Sequence, residues 1–289
     1  MYGSLKWRPP KRRGMPLSVV IASFGAVLLA LPAGASAQLA FARTPEQFEL
    51  SFLAVSYGEG TTSVRFEPTE RLPRASGEAK IERKGGVTQI EIELDEMKPA
   101  WSFGGDFNTY LLWAISPEGH MDNLGEFILK GNRSKLDVST PMDTFGLIVT
   151  AEPHFMVENP SAFAVLSSLE PGQTPRPTEG VTVEIISVHP TYRYERATLA
   201  EEPEAGDEVR SALRQAHVAV QLAERAGAGQ RAAEAFREAE ISLLMAEGAA
   251  ETRSQTHEDV ELMARRTVRL AAAAERLAGG NAPRQPTVR

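Results

Sequence analysis

The 289-residue chain contains no cysteine. That absence excludes disulfide frameworks, thiolate zinc sites, iron–sulfur ligation, cysteine nucleophiles and a lipidated-cysteine anchor. The first 37 residues contain no acid, and no proline occurs between Asp207 and Ala282. No apolar run reaches the roughly 20 residues that a membrane-spanning helix needs. What is present is ordinary globular usage, 42% apolar and 24% charged, which excludes wholesale disorder and a collagen-like fibre. The formal charge is −7 although Lys6, Arg8, Lys11, Arg12 and Arg13 crowd the acid-free opening. Everything after it is therefore strongly acidic, and no general attraction to nucleic acid or anionic lipid is expected.

The basic opening runs into Leu17–Leu31, a stretch of apolar and small residues, and then into Pro32 and Ala35-Ser36-Ala37. Small residues at Ala35 and Ala37 fit a signal-peptidase site, so residues 1–37 read as a secretory signal with cleavage before Gln38. The run is too short for an anchor, and no transmembrane segment is expected after its removal. Arg12-Arg13 is followed by Gly-Met-Pro-Leu rather than a fuller twin-arginine motif, which favours the ordinary secretory route.

Residues 38–198 alternate short Val-, Ile-, Phe-, Tyr- and Thr-rich stretches with Gly, Pro, Asn and Asp clusters, which is strand punctuation. In Val87-Thr-Gln-Ile-Glu-Ile-Glu-Leu94 the apolar Ile90, Ile92 and Leu94 share one face and Gln89, Glu91 and Glu93 the other. Lys84-Gly85-Gly86 joins it to Ala79–Arg83 as a hairpin. Tyr110–Ile115 is apolar on both faces, which predicts a central strand with Trp113 as core anchor. About nine short strands without a helical period predict an antiparallel, immunoglobulin-like β-sandwich.

Residues 199–206 form an acidic linker, and 207–280 turn Ala-, Glu-, Arg- and Leu-rich. Three helices are expected, near 207–226, 230–247 and 256–278, with Gly227 as a C-terminal cap and Thr256 with Asp259 as a capping box. Their stripes are Val209, Leu213, Ala216, Val220 and Ala223 in the first, and Val260, Met263, Thr267, Leu270, Ala274 and Leu277 in the third. Glu261 and Arg265 form an i, i+4 pair suited to an exposed face. Residues 281–289 read as a flexible tail. The fold class expected is α+β in separate domains, a sandwich followed by an Ala-rich helical hairpin or three-helix array with coiled-coil-like packing. The sandwich is expected to fold without the helices.

No catalytic residue, cofactor site or metal site is expected. Gly227-Ala-Gly229-Gln-Arg-Ala232 spells a dinucleotide turn, but that motif requires a preceding strand and here follows a helix. His257-Glu-Asp-Val-Glu261 lacks the second histidine of a zinc helix. Asn132-Arg-Ser134 is a glycosylation sequon of a kind that arises by chance. The aromatic loop Trp101-Ser-Phe-Gly-Gly-Asp-Phe107 is the one candidate contact site: Trp101, Phe103 and Phe107 either fold onto the core or present rings to a partner or a glycan.

Asn108–Gly119, Leu124-Gly-Glu126, Arg133–Asp137 and Phe145–Pro153 resemble the N-terminal β domain of certain exported OmpA-family proteins. Phe145–Pro153 is also similar in style to the extracytoplasmic β domain of some anti-sigma factors. Ala212–Ala228 resembles the Ala-rich helical domain of unknown function found ahead of OmpA-like peptidoglycan-binding domains. The 289 residues contain no third globular domain, so peptidoglycan binding is not carried over. The resemblance implies a non-enzymatic scaffold or accessory protein of a bacterial envelope, periplasmic or associated with the outer membrane. Its expected partners are an envelope protein or a second copy through the helices. The alternative is a carbohydrate-binding module using the aromatic loop.

Overall fold

A computed structural model describes residues 47–168, 179–186, 207–252 and 255–279. The expected signal with Ala35, Ala37 and Gln38, the linker 199–206 and the tail 281–289 lie outside the described residues. The chain is α+β: an antiparallel β region followed by C-terminal helices.

Ten strands are described, β1 (Gln47–Ser56), β2 (Gly60–Pro68), β3 (Ser76–Lys84), β4 (Val87–Asp95), β5 (Thr109–Ile115), β6 (Met121–Phe127), β7 (Ser134–Thr140), β8 (Thr144–Glu152), β9 (Ala164–Ser168) and β10 (Glu179–Ile186). They run in the order β10-β1-β8-β9-β2-β3-β4-β7, with β5 branching from β8 and β6 from β5. The free edges of β6 and β7 then come together. Thr140 Oγ1 donates to Asp122 Oδ2 at 3.1 Å across that gap, and Gly125 stands against Leu136 and Val138. The sheet is therefore nearly closed on itself, which leaves few unpaired edges.

The predicted hairpin is present, Lys84 pairing Val87 around Gly85 and Gly86 at φ +60° and +83°. Two successive positive φ values define the turn whose twist matches that of the flanking strands, and glycine adopts them without strain. The central strand is present too, since all seven residues of β5 are buried. Its Tyr110, Leu112 and Ala114 join the main core with Ile81, Ile90, Ile92, Phe145 and Leu147. Leu111, Trp113 and Ile115 face the other way, into a smaller cluster with Phe52, Ala54 and Ile148. Trp113 is fully buried, and its Nε1 donates to Thr150 Oγ1 at 2.8 Å, so the indole keeps a partner away from water. Burial pushes the Tyr110 hydroxyl pKa up, and that hydroxyl donates to the Lys98 carbonyl at 2.7 Å.

The helices are α1 (Asp207–Arg225), a single turn α2 (Ala228–Arg231), α3 (Ala233–Glu251) and α4 (His257–Gly279). Gly227 takes the left-handed conformation between α1 and α2, so the dinucleotide-like string is a helix-to-helix turn. Thr256 and Asp259 form the expected reciprocal cap. The Asp259 N–H donates to Thr256 Oγ1 at 3.2 Å, and Thr256 donates to Asp259 Oδ2 through both its N–H and its hydroxyl. The α1 stripe is buried throughout. In α4 the stripe is displaced at its end: Val260, Ala264, Val268, Ala271, Ala274 and Ala278 are buried, whereas Leu277 is 56% exposed. With alanine at the contacts the helices approach closely, and the inward line follows the small residues at 3.6 per turn rather than the larger leucine.

Candidate functional site

The helices are tied to the β region by buried charge. Asp106, 2% exposed, follows the two positive-φ glycines Gly104 and Gly105, and its carboxylate accepts both terminal nitrogens of Arg225 at 2.7 and 3.0 Å. Such a fork fixes orientation as well as distance. Glu126 on β6 forms the second tie. Its Oε1 accepts from Thr109 at 2.6 Å and from the Gln215 amide at 2.5 Å, and its Oε2 lies 2.8 Å from Arg265. Arg265 also holds Glu261 at 2.8 Å, so the pair expected on an exposed face instead bridges α4 to the sheet. Gln215 completes the joint by accepting the Phe155 N–H through its amide oxygen at 3.0 Å. Apolar contact runs alongside, because Val218 and Leu222 of α1 belong to the core cluster of the sheet. The sheet and the helices belong to one compact unit.

The aromatic loop divides three ways. Phe107 is buried, its ring 4.5 Å from Phe163. Phe103 packs partly buried against the same core, 4.9 Å from Phe163 and edge-on to Tyr110 at 6.4 Å. Trp101 is 41% exposed, in a 3₁₀ turn over Ala100–Phe103, and the Arg214 guanidinium lies 4.8 Å above its ring. That cation–π contact is a further link between the loop and α1.

The polar links to the sheet come from α1 and α4, while α3 packs on its fellow helices. One side of α3 supplies Phe236, Ala239, Ser242, Ala246 and Ala249 to the bundle core. Ser242 meets Thr267 of α4 at 2.9 Å. The opposite side carries Ile241, Leu244 and Met245, exposed by 51%, 67% and 60%. A solvated helix side is ordinarily polar, and here three large apolar residues stand together on one.

Among the described residues no cluster of histidine, aspartate and glutamate could hold a metal ion. His257 and Glu258 are exposed, and His217 Nε2 faces Glu247 at 2.9 Å across α1 and α3. The groove along β3, β4 and β7 is lined by opposite charges that meet each other, such as Arg133 with Asp95 at 3.0 Å. No described helix is long and apolar enough to cross a membrane. No family model, curated protein or solved structure matches this chain.

Sequence reasoning missed Asp106, Glu126, Gln215, Arg225 and Arg265 as a set. The available signals were Asp106 beside two glycines and Arg225 in the last turn of a helix, and neither names its partner.

Proposed function

We propose that the protein is an exported, non-enzymatic scaffold or accessory protein of a bacterial cell envelope, acting through protein–protein contact in the periplasm or at the outer membrane. The observation that carries the contact reading is the outward side of α3, where Ile241, Leu244 and Met245 stand in water on a helix whose other side already fills the bundle. The buried ties at Asp106 and Glu126 support it, because they hold that helix bundle on a sheet with a defined orientation. Export rests on the small residues Ala35 and Ala37 before Gln38, and the envelope on the resemblance to domains found with OmpA-like proteins. The same proposal takes the β region as an immunoglobulin-like sandwich, with the two sides of the nearly closed sheet as its layers. The burial of β5 on both faces around Trp113 supports that reading.

Expression in a Gram-negative host with a photo-crosslinking residue at position 244 tests the proposal. The expected result is a periplasmic product whose mass begins at Gln38 and whose position 244 crosslinks to protein. A product kept in the cytoplasm, or no crosslink from position 244, overturns it. Carbohydrate binding is the second reading, favoured by one observation, the exposed face of Trp101. Glycan-array binding lost in Trp101→Ala would decide for it.

A further inference from the structure

The outward side of α3 is self-complementary. Relative to the axis, Arg237, Ile241, Leu244, Met245, Gly248 and Glu251 fall on one stripe, since 14 residues from Arg237 to Glu251 make about four turns. Glu234 lies on the same stripe one turn before Arg237, so the stripe has Glu234 and Arg237 at one end, Glu251 at the other and apolar residues between them, and reversing it sets Arg237 against Glu251. Turn a second copy end for end about a two-fold axis between Leu244 and Met245. Leu244 then meets the partner's Met245, Ile241 lies opposite the partner's Gly248, and Arg237 comes within side-chain reach of the partner's Glu251. A two-fold contact of this kind presents every pair twice.

Three details on this stripe agree with that pairing. Gly248 has no atom within 4 Å of where a Cβ would stand, so it leaves a shallow opening opposite Ile241 in which helices can approach closely. Two other charges of α3 are engaged within the chain, Glu238 at 3.9 Å from Arg266 and Glu247 at 2.9 Å from His217, while Glu234 and Glu240 are exposed. Arg237 and Glu251 are exposed and have no ion-pair partner among the described residues of their own chain. They are the charges that the reversed copy would pair. A 19-residue helix is about 28 Å long, enough for the flanking charged side chains to form a polar rim around the apolar centre.

We infer that α3 is a homodimer interface, pairing antiparallel with α3 of a second copy through Ile241, Leu244, Met245 and Gly248 and closed at each end by Arg237 and Glu251. The inference rests on the contact reading above and names the partner as this chain itself. Charge complementarity, more than area, sets the register, because a parallel pairing would place Arg237 beside Arg237 and Glu251 beside Glu251.

Sedimentation equilibrium of the exported protein from about 1 to 200 μM tests it, a range that covers dissociation constants typical of modest interfaces. The wild type is expected to dimerise, and Leu244→Glu to weaken the dimer by more than about tenfold while far-UV circular dichroism stays unchanged, since Leu244 touches no core. Arg237→Glu is expected to weaken it comparably, and Arg237→Glu combined with Glu251→Arg to restore it. A wild type that is monomeric throughout, or a dimer indifferent to Leu244→Glu, overturns the inference. A charge exchange that fails to restore the dimer overturns the antiparallel register. A monomeric wild type whose position 244 still crosslinks to another protein would sink self-pairing and leave the contact reading standing, whereas a dimer with no crosslink to any other species leaves self-pairing as the whole of that contact.

Discussion

Arg225 and Asp106, 119 residues apart in sequence, meet through two hydrogen bonds of 2.7 and 3.0 Å at a site where the carboxylate side chain is 3% exposed and the guanidinium 17%. A charge buried this deeply is tolerable only while its partner is present. Arg225→Ala is therefore expected to destabilise the protein by about 3–5 kcal/mol in urea unfolding, and Arg225→Lys to recover part of it, because a single ammonium cannot reproduce the fork. Adding Asp106→Asn to Arg225→Ala should lessen the loss. Equal stability of Arg225→Ala and the wild type would mean that water reaches Asp106 after all.

Trp113 fills the smaller core with both its rings and its N–H. Trp113→Ala is expected to cost about 3–5 kcal/mol, and Trp113→Phe less but measurably, because Thr150 Oγ1 loses the donor at 2.8 Å. Thermal unfolding of the two variants side by side separates the volume from the hydrogen bond.

The α4 cap titrates. Hydrogen bonds from the Thr256 hydroxyl and N–H hold the Asp259 carboxyl pKa below its ordinary value. A depressed carboxylate stabilises the folded state fully above its unfolded pKa, and that contribution is lost as the pH falls through the lower, folded value. The melting temperature of the wild type should thus exceed that of Asp259→Asn at neutral pH and converge on it in strong acid. A difference that stays constant across that range would assign the effect to packing.

At the tip of the β3–β4 hairpin the glycines have open space around them but a conformation that side chains resist. Gly85→Ala is expected to cost about 1 kcal/mol through backbone strain alone, and Gly85→Asn less, since asparagine tolerates the left-handed region. Chemical denaturation of the two variants would show whether the ordering holds.

The elements legible in the sequence are those specified by local chemistry. The alternation of Ile90, Ile92 and Leu94, the two glycines of the hairpin, the two-sided apolar run around Trp113 and the Thr256–Asp259 cap each depend on residues a few positions apart. The closure of the sheet was not legible, because the approach of β6 to β7 is made by Asp122 and Thr140, 18 positions apart, and neither residue names its partner. Nor was the end of the α4 stripe. Leu277 satisfies a heptad-like spacing, yet the alanines beside it pack closer, so Leu277→Asp should leave stability within about 0.5 kcal/mol. The aromatic loop shows the same limit from another side, since Phe107 is core and Trp101 is surface within seven residues of identical local character.

The Arg225–Asp106 fork also orders events in time. A chain emerging from its N-terminus presents Asp106 long before Arg225 exists, and β1 must wait for β8 and β10 before its two neighbours are in place. Long-range closure of this kind is slow relative to local hairpins. Until the helices arrive, the β region lacks the Arg225 fork on Asp106 and the Val218 and Leu222 side chains of its core, so the contacts between the sheet and α1 are among the last that the chain can make.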